Sequence, residues 1–197
     1  MKAVFLDTDS LDRNDLDFAS IEAVVGEWVS YPSTPQDQVA TRLIDVEVAV
    51  VNKQVLDRTI LSACKSLKLV CIAATGTNNV DLVAAAELGI TVTNCQAYGT
   101  GSVVQHVFTL ILALNTKLLQ YSQAVLEGRW NTADQFCLLD YPIAELSGKT
   151  LGIIGYGELG QGVAKIAQVF GMQVLIAERP GKTPRPGRLA LEELLPA

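Results

Sequence analysis

With 197 residues, 49% of them hydrophobic and 18% charged, the chain has enough apolar material for one generous core or two small ones. A formal net charge of −6 and the lack of any run of Lys and Arg argue against nucleic acid, whose phosphate backbone demands clustered cations. An acidic balance leaves room for an anionic substrate only where backbone dipoles do the binding.

The opening Met1-Lys2 leads into Ala3 to Leu6 and then Asp7, too short for the core of a signal peptide. The longest apolar stretch, Val103 to Leu114, contains Gln105 and His106 and is not expected to span a bilayer. Both features predict a cytoplasmic protein with no membrane partner. Cys64, Cys71, Cys95 and Cys137 show no C-x-x-C spacing, and His106 is the single histidine. Buried free thiols are expected, and no metal site.

From the N-terminus, strand and helix patterns alternate. Ala3 to Leu6 reads as a strand, Leu16 to Val25 as a helix with Phe18, Ile21 and Val25 inward, and Trp28 to Tyr31 as a second strand. Thr34 is the expected N-cap of the next helix, with Pro35 at its first position and Val39, Leu43 and Ile44 on its buried face. Val46 to Val51 is almost all valine and apolar residues, the mark of a parallel strand covered on both sides. A helix holding Leu61, Cys64 and Leu67 follows, then the strand Leu69 to Ala73. Asp81 is expected to cap the helix Leu82 to Leu88, which Gly89 ends before the strand Ile90 to Thr93. Five strands alternating with helices predict a doubly wound α/β unit closing near residue 97. Ligands of such sheets sit beyond the carboxyl ends of the strands, where the loop at Thr75 falls.

Beyond a loop of small residues, a helix beginning near Ser102 carries Val103, Val107, Leu110, Ile111 and Leu114 on more than one face, which predicts deep burial or a subunit contact. Trp130 to Tyr141 reads as irregular. Lys149 to Arg179 then carries the clearest signal in the chain. The short strand Thr150 to Ile154 meets Gly155-Tyr156-Gly157-Glu158-Leu159-Gly160, and an amphipathic helix follows at once. Gly171 ends that helix, Val174 to Ala177 reads as a second buried strand, and Glu178 stands 18 residues after Gly160.

This is the pattern of a dinucleotide fold. Gly155 allows the sharp turn, Gly157 the close approach of a pyrophosphate, and Gly160 the packing of helix on strand. Amides around Glu158 and Leu159 are expected to face the phosphates, with the Glu158 side chain pointing away. Glu178 is expected to accept hydrogen bonds from an adenosine ribose and to repel a 2′-phosphate, favouring NAD. Arg179 blurs that preference and keeps NADP possible. Thr183 to Gly187 reads as loop, and Leu189 to Leu195 as a short helix cut off by Pro196.

Taken together, the segments Ala73-Ala74-Thr75-Gly76-Thr77-Asn78-Asn79-Val80-Asp81, Tyr98-Gly99-Thr100-Gly101-Ser102-Val103-Val104-Gln105-His106 and the Gly155 fingerprint resemble the D-isomer-specific 2-hydroxyacid dehydrogenases over the whole chain. The resemblance is closest to the glycerate dehydrogenase (hydroxypyruvate or glyoxylate reductase) branch. It implies two doubly wound parallel-sheet α/β units, a flavodoxin-like substrate domain over 1–97 and a partial Rossmann NAD-binding domain over 98–197, and a likeness to enzymes that work as homodimers. It also implies hydride transfer between NAD(H) and a small 2-keto or 2-hydroxy acid. By the same resemblance, backbone amides of Thr75, Gly76 and Thr77 hold the substrate carboxylate, while Thr75 and Thr100 lie on the cofactor. From the residues alone, Thr75 to Thr77 also fit a plain βα turn, and Thr100 a plain helix start.

The family's catalytic arginine, glutamate and histidine would lie beyond Ala197, since two domains of this type need roughly 300 residues. The chain is therefore expected to be the N-terminal part of a longer enzyme, inactive alone, with its third Rossmann strand missing and an open sheet edge beside Val174 to Ala177. His106 has no acid at i+3 or i+4 and reads as a core or interface histidine. The rival reading is a non-catalytic dinucleotide-binding or dimerisation module.

Overall fold

Short β-branched runs joined by helices build the first of two units, Met1–Ala97, in a computed structural model that describes residues 1–11, 15–183 and 185–196. The second unit is Tyr98–Ala197.

In the first unit β1 (Lys2–Phe5), β2 (Glu27–Ser30), β3 (Val48–Val51), β4 (Leu69–Ile72) and β5 (Thr91–Asn94) form a parallel sheet in the order β2-β1-β3-β4-β5. Ala3 pairs with Trp28 on one side and Val48 on the other, so β1 is paired along both edges. The strand order reverses between β1 and β3, where doubly wound sheets open a crevice at the carboxyl ends. Helices α1 (Ala19–Glu22), α2 (Val39–Arg42), α3 (Arg58–Ala63) and α4 (Leu82–Glu87) connect the strands. Val4, Ala49, Val51, Val70 and Ile72 are buried beneath Leu43, Leu56 and Leu61, which is why the central strands read as unbroken apolar runs.

Local chemistry sets several helix ends. The Asp57 carboxylate accepts from the Ile60 amide at 2.9 Å, and Asp81 from Ala84 at 2.8 Å. Gly89, at φ 73°, takes the left-handed position after α4. Three expectations fail. Thr34 caps nothing: its hydroxyl donates to the Leu6 carbonyl at 2.6 Å and accepts from the Arg42 guanidinium at 2.7 Å. Ile44 lies 61% exposed, because α2 ends before it. The helix expected over Leu16 to Val25 is one turn long, with Ile21 exposed. Lacking a surface for that residue, so short a helix gains too little packing to offset nucleation. Phe18 instead packs its ring on Phe5 and Trp28, at 6.0 and 5.8 Å between centroids.

The second unit contains α5 (Thr100–Asn115), α6 (Leu118–Leu126), β6 (Thr150–Ile154), α7 (Glu158–Val169), β7 (Gln173–Ala177) and α8 (Leu191–Leu194). Strands β6 and β7 are parallel, in register from Thr150 against Gln173 to Ile154 against Ala177. Gly171, at φ 73°, turns the chain between α7 and β7. The outer edge of β7 is partly covered, contrary to expectation. Leu189 forms a parallel bridge with Ala177, its amide donating to Ile176 and its carbonyl accepting from Glu178. Part of the loop expected over Thr183 to Gly187 falls at Pro184, outside the described residues.

Helix α5 packs on α7 through Val104, Phe108 and Ala167, with Phe108 stacked on Phe170 at 5.4 Å. Its other faces are open: Leu114 is 70% exposed, and Val103, Leu110 and His106 are also exposed. Deep burial of this helix, and a core role for His106, are therefore excluded in this unit. The sequence reading missed α6, whose Tyr121 hydroxyl bonds to the carbonyls of Leu138 and Tyr141 and anchors the irregular segment.

Candidate functional site

The glycine turn of the second unit is built by its own backbone. Gly155 adopts φ 99°, and Gly157 caps α7 in an extended conformation at φ −82°, ψ −160°. Among the described residues, the amides of Tyr156, Gly157, Glu158 and Leu159 meet no protein acceptor, so they present a cluster of donors at the positive end of α7. A Cβ at Gly157 would meet only open space, whereas one at Gly160 would overlap the Gly155 carbonyl oxygen and lie 3.3 Å from Ile153 Cγ2. Gly160 thus serves the turn itself as much as the packing of helix on strand. The Glu158 carboxylate turns to the start of α5, where it accepts the Thr100 hydroxyl at 2.6 Å. Gly162 permits that approach, since a Cβ there would stand 2.8 Å from Val104 Cγ2.

A cavity of about 360 Å³ runs from Gly155, Tyr156 and Gly157 to Glu178 and Arg179, with Arg185 and Arg188 on its wall. The structure thus brings Gly155, Gly157, Glu178 and Arg179 together. Thr100 lies instead on an apolar groove with Val104 and Gly162. Glu178 is 4% exposed. Its Oε2 accepts from Arg185 Nε at 2.7 Å, and its Oε1 from Arg185 Nη2 at 2.8 Å and the Arg179 amide at 2.9 Å. This pair, with the backbone donors, holds the Glu178 carboxyl down at about 2.

In the first unit, Thr75, Gly76 and Thr77 follow β4 at the carboxyl end of the sheet. Asn94 Nδ2 donates to the Thr75 carbonyl at 2.7 Å, and the Val80 amide to the Thr77 carbonyl at 3.1 Å. The three amides of Thr75 to Thr77 meet no protein acceptor among the described residues, which suits a small carboxylate without any cation. Asp7, beyond β1 and not singled out in the sequence, accepts from the amides of Asn52, Lys53 and Gln54 at 2.9, 2.6 and 2.9 Å. Its one sequence signal is an acid placed directly after a strand.

The family profile described as D-isomer specific 2-hydroxyacid dehydrogenase, catalytic domain, matches residues 5–178. The chain belongs to this family. As a 2-hydroxyacid dehydrogenase family member it is 40% identical over 195 residues to a glycerate dehydrogenase from Methylorubrum extorquens, covering 98% of this chain and 60% of that protein. It is also 40% identical over 178 residues to a hydroxypyruvate reductase from Blautia hydrogenotrophica, covering 89% of this chain and 55% of that protein. A crystal structure of a protein from Thermus thermophilus superposes with a TM-score of 0.76 at 28% identity, over 99% of this chain and 61% of that one. The chain thus spans about 60% of the length of such relatives.

Among the described residues of this family member, no group of three or more His, Cys, Asp or Glu is placed to hold a metal ion. No single described helix is long and apolar enough to cross a membrane, and α5 and α6 are bent 60° from one another.

Arg185 and Arg188, which by sequence read as cofactor-side or solvated charges, both pair with Glu178, at 2.7 and 3.6 Å. This pairing has a consequence in acid. Because Glu178 titrates at about 2 when folded rather than near 4.5, its contribution to stability is complete above pH 4.5 and fades as pH falls toward 2. Thermal midpoints recorded across that window should fall more steeply for the native chain than for Glu178→Gln. Parallel slopes would show that the pair adds nothing.

Proposed function

We propose that this chain is the dinucleotide-binding and substrate-carboxylate-binding portion of an oxidoreductase that moves a hydride between a nicotinamide and a small 2-keto or 2-hydroxy acid. Hydroxypyruvate/glycerate and glyoxylate/glycolate are the substrate pairs in view. One observation carries the reading: a cavity that joins unpartnered amides at a glycine turn to an acidic residue at the end of the next strand. The open space at Gly157 is the kind a pyrophosphate requires.

On this reading, residues 98–197 form the dinucleotide domain and residues 1–97 the substrate domain. The amides of Gly157, Glu158 and Leu159 hold the pyrophosphate, with Gly155 and Gly160 shaping the turn. Glu178 and Arg179 stand at the adenosine ribose, and Thr75 and Thr100 attend the cofactor's other end. Thr75, Gly76 and Thr77 fix the acid through its carboxylate, so that its C2 is held in one orientation. The nicotinamide, when bound, supplies or accepts the hydride. The single histidine is not placed to supply the proton that must accompany it: His106 is exposed on α5, with Thr109 and Leu110 at i+3 and i+4. The chain alone should therefore bind without turning over.

A homodimer is the assembly we favour, supported by the exposed apolar residues Leu110, Leu114, Leu119 and Leu126 along α5 and α6. A cytoplasmic location is supported by four free thiols, one of them exposed at Cys95. Titration of reduced dinucleotide against the 197-residue chain, followed by fluorescence, should give saturable binding. Mixing the complex with hydroxypyruvate or glyoxylate should leave the reduced nicotinamide unoxidised, and the protein should sediment at twice its chain mass. Absence of binding would remove the proposal, and rapid oxidation would refute the assignment of the proton donor to residues outside 1–197.

A further inference from the structure

We infer that the cavity beyond Glu178 is a phosphate subsite, and that this chain prefers NADPH to NADH. The inference rests on the dinucleotide reading above and names the form of cofactor taken at the same site.

A ribose that is to be held through its hydroxyls needs an acceptor with unfilled lone pairs. Glu178 has none to offer. Each carboxylate oxygen has two lone-pair directions, and each receives two donors. Oε1 takes the Arg179 amide at 2.9 Å and Arg185 Nη2 at 2.8 Å, while Oε2 takes Arg185 Nε at 2.7 Å and the Arg185 amide at 3.2 Å. Arg188 Nη1 adds a second guanidinium at 3.6 Å from Oε1. The acid that was expected to repel a 2′-phosphate is therefore covered by cations.

Next to it lies a second cavity of about 380 Å³, which shares Glu178, Arg179 and Arg185 with the first and extends to Lys182 and Thr183. Four cationic residues, Arg179, Lys182, Arg185 and Arg188, line these two spaces, and two of them, Arg185 and Arg188, are paired with the Glu178 carboxylate. A sugar phosphate brings close to two negative charges and three acceptor oxygens, which suits guanidinium forks. Arg185 is able to serve both partners: its bond to Glu178 uses Nε and Nη2, its side chain remains 58% exposed, and Nη1 is left for another acceptor. Thr183 contributes a hydroxyl at the rim.

The test is a pair of fluorescence titrations on the 197-residue chain, one with NADPH and one with NADH, with adenosine 2′,5′-bisphosphate and 5′-AMP as competitors. NADPH should bind about tenfold more tightly, the effect of one or two charge-assisted hydrogen bonds, and the advantage should shrink as salt is added. Adenosine 2′,5′-bisphosphate should compete better than 5′-AMP. Lys182→Ala, at an exposed position, should lower the NADPH-to-NADH affinity ratio several-fold. Arg185→Ala should lower it further, because it also frees Glu178 to accept the ribose hydroxyls of NADH. Equal binding, or tighter binding of NADH, by the native chain would overturn the phosphate subsite and leave the dinucleotide reading standing. Binding of neither nucleotide would overturn both.

Discussion

Gly160→Val should dismantle the glycine turn, lowering the thermal midpoint of the second unit by roughly 10 °C and abolishing dinucleotide binding. Even a single Cβ at this position overlaps the Gly155 carbonyl oxygen, and the next residue it meets is Ile153, with Cγ2 at 3.3 Å. Neither is free to yield. Gly155 is committed to φ 99° by the turn, and Ile153 is paired with Ile176 inside the β6–β7 ladder. Overpacking against backbone costs about 1–3 kcal/mol, and each kcal/mol moves the midpoint of a domain of about 100 residues by about 4–8 °C. Gly160→Ala should move it in the same direction by less. Gly157→Ala is the informative contrast, because its Cβ would enter open space. That variant should keep its thermal midpoint and lose affinity for the dinucleotide, since the methyl group occupies room needed by the phosphates. Calorimetry and fluorescence titration on the three proteins separate the two roles. A Gly160→Val chain that melts with the native one would show that the turn relaxes without cost.

The glycine turn was legible in the sequence because its causes are local. A strand, three glycines and an amphipathic helix follow one another within a few residues, and each has a conformation that the next one needs. Asp81 was legible as a cap for the same reason, its carboxylate reaching only three residues ahead to Ala84. The alternation of strands and helices likewise gave the parallel sheet of the first unit, since residues covered on both faces must be apolar throughout. What escaped notice depends on partners far along the chain. Thr34 has the composition of a cap, but its hydroxyl meets Leu6, 28 residues away. Ile21 and Ile44 carry the right periodicity, yet no neighbour covers them. At the candidate site, the acid at the end of β7 was visible, but not the loop that brings Arg185 onto it. The preference for NAD read from Glu178, and blurred by Arg179, was read without the Arg185 charge folded back from seven residues downstream.

The same distinction between local and distant partners makes Asp7 the position in the first unit where one substitution should do most damage. Asp7 is 7% exposed, and its two oxygens accept three backbone amides from the loop after β3, at 2.9, 2.6 and 2.9 Å. Alanine would leave all three donors without this partner, two of them on the buried residues Asn52 and Gln54. Hydrogen bonds to a charged group contribute about 1.5–3 kcal/mol each, and their loss is not additive, so the expected cost is about 3–5 kcal/mol. A domain of about 100 residues should then melt roughly 12 °C lower or more. Asp7→Asn should fall between, since its single carbonyl oxygen can replace one carboxylate oxygen but not both. The effect should also spread. The loop that Asp7 holds is tied onward through Asn79, whose Nδ2 donates to the Gln54 carbonyl at 3.0 Å and whose carbonyl accepts the Leu56 amide at 2.8 Å. Asn79 lies two residues after Thr77, in the loop proposed to hold the substrate carboxylate. Hydrogen exchange should therefore accelerate at the amides of residues 52–54 in Asp7→Ala, and at those of Leu56 and Val80 as well. Acceleration confined to 52–54 would mean that the two loops are anchored independently, and Asp7 would then matter to stability without shaping the Thr75 loop.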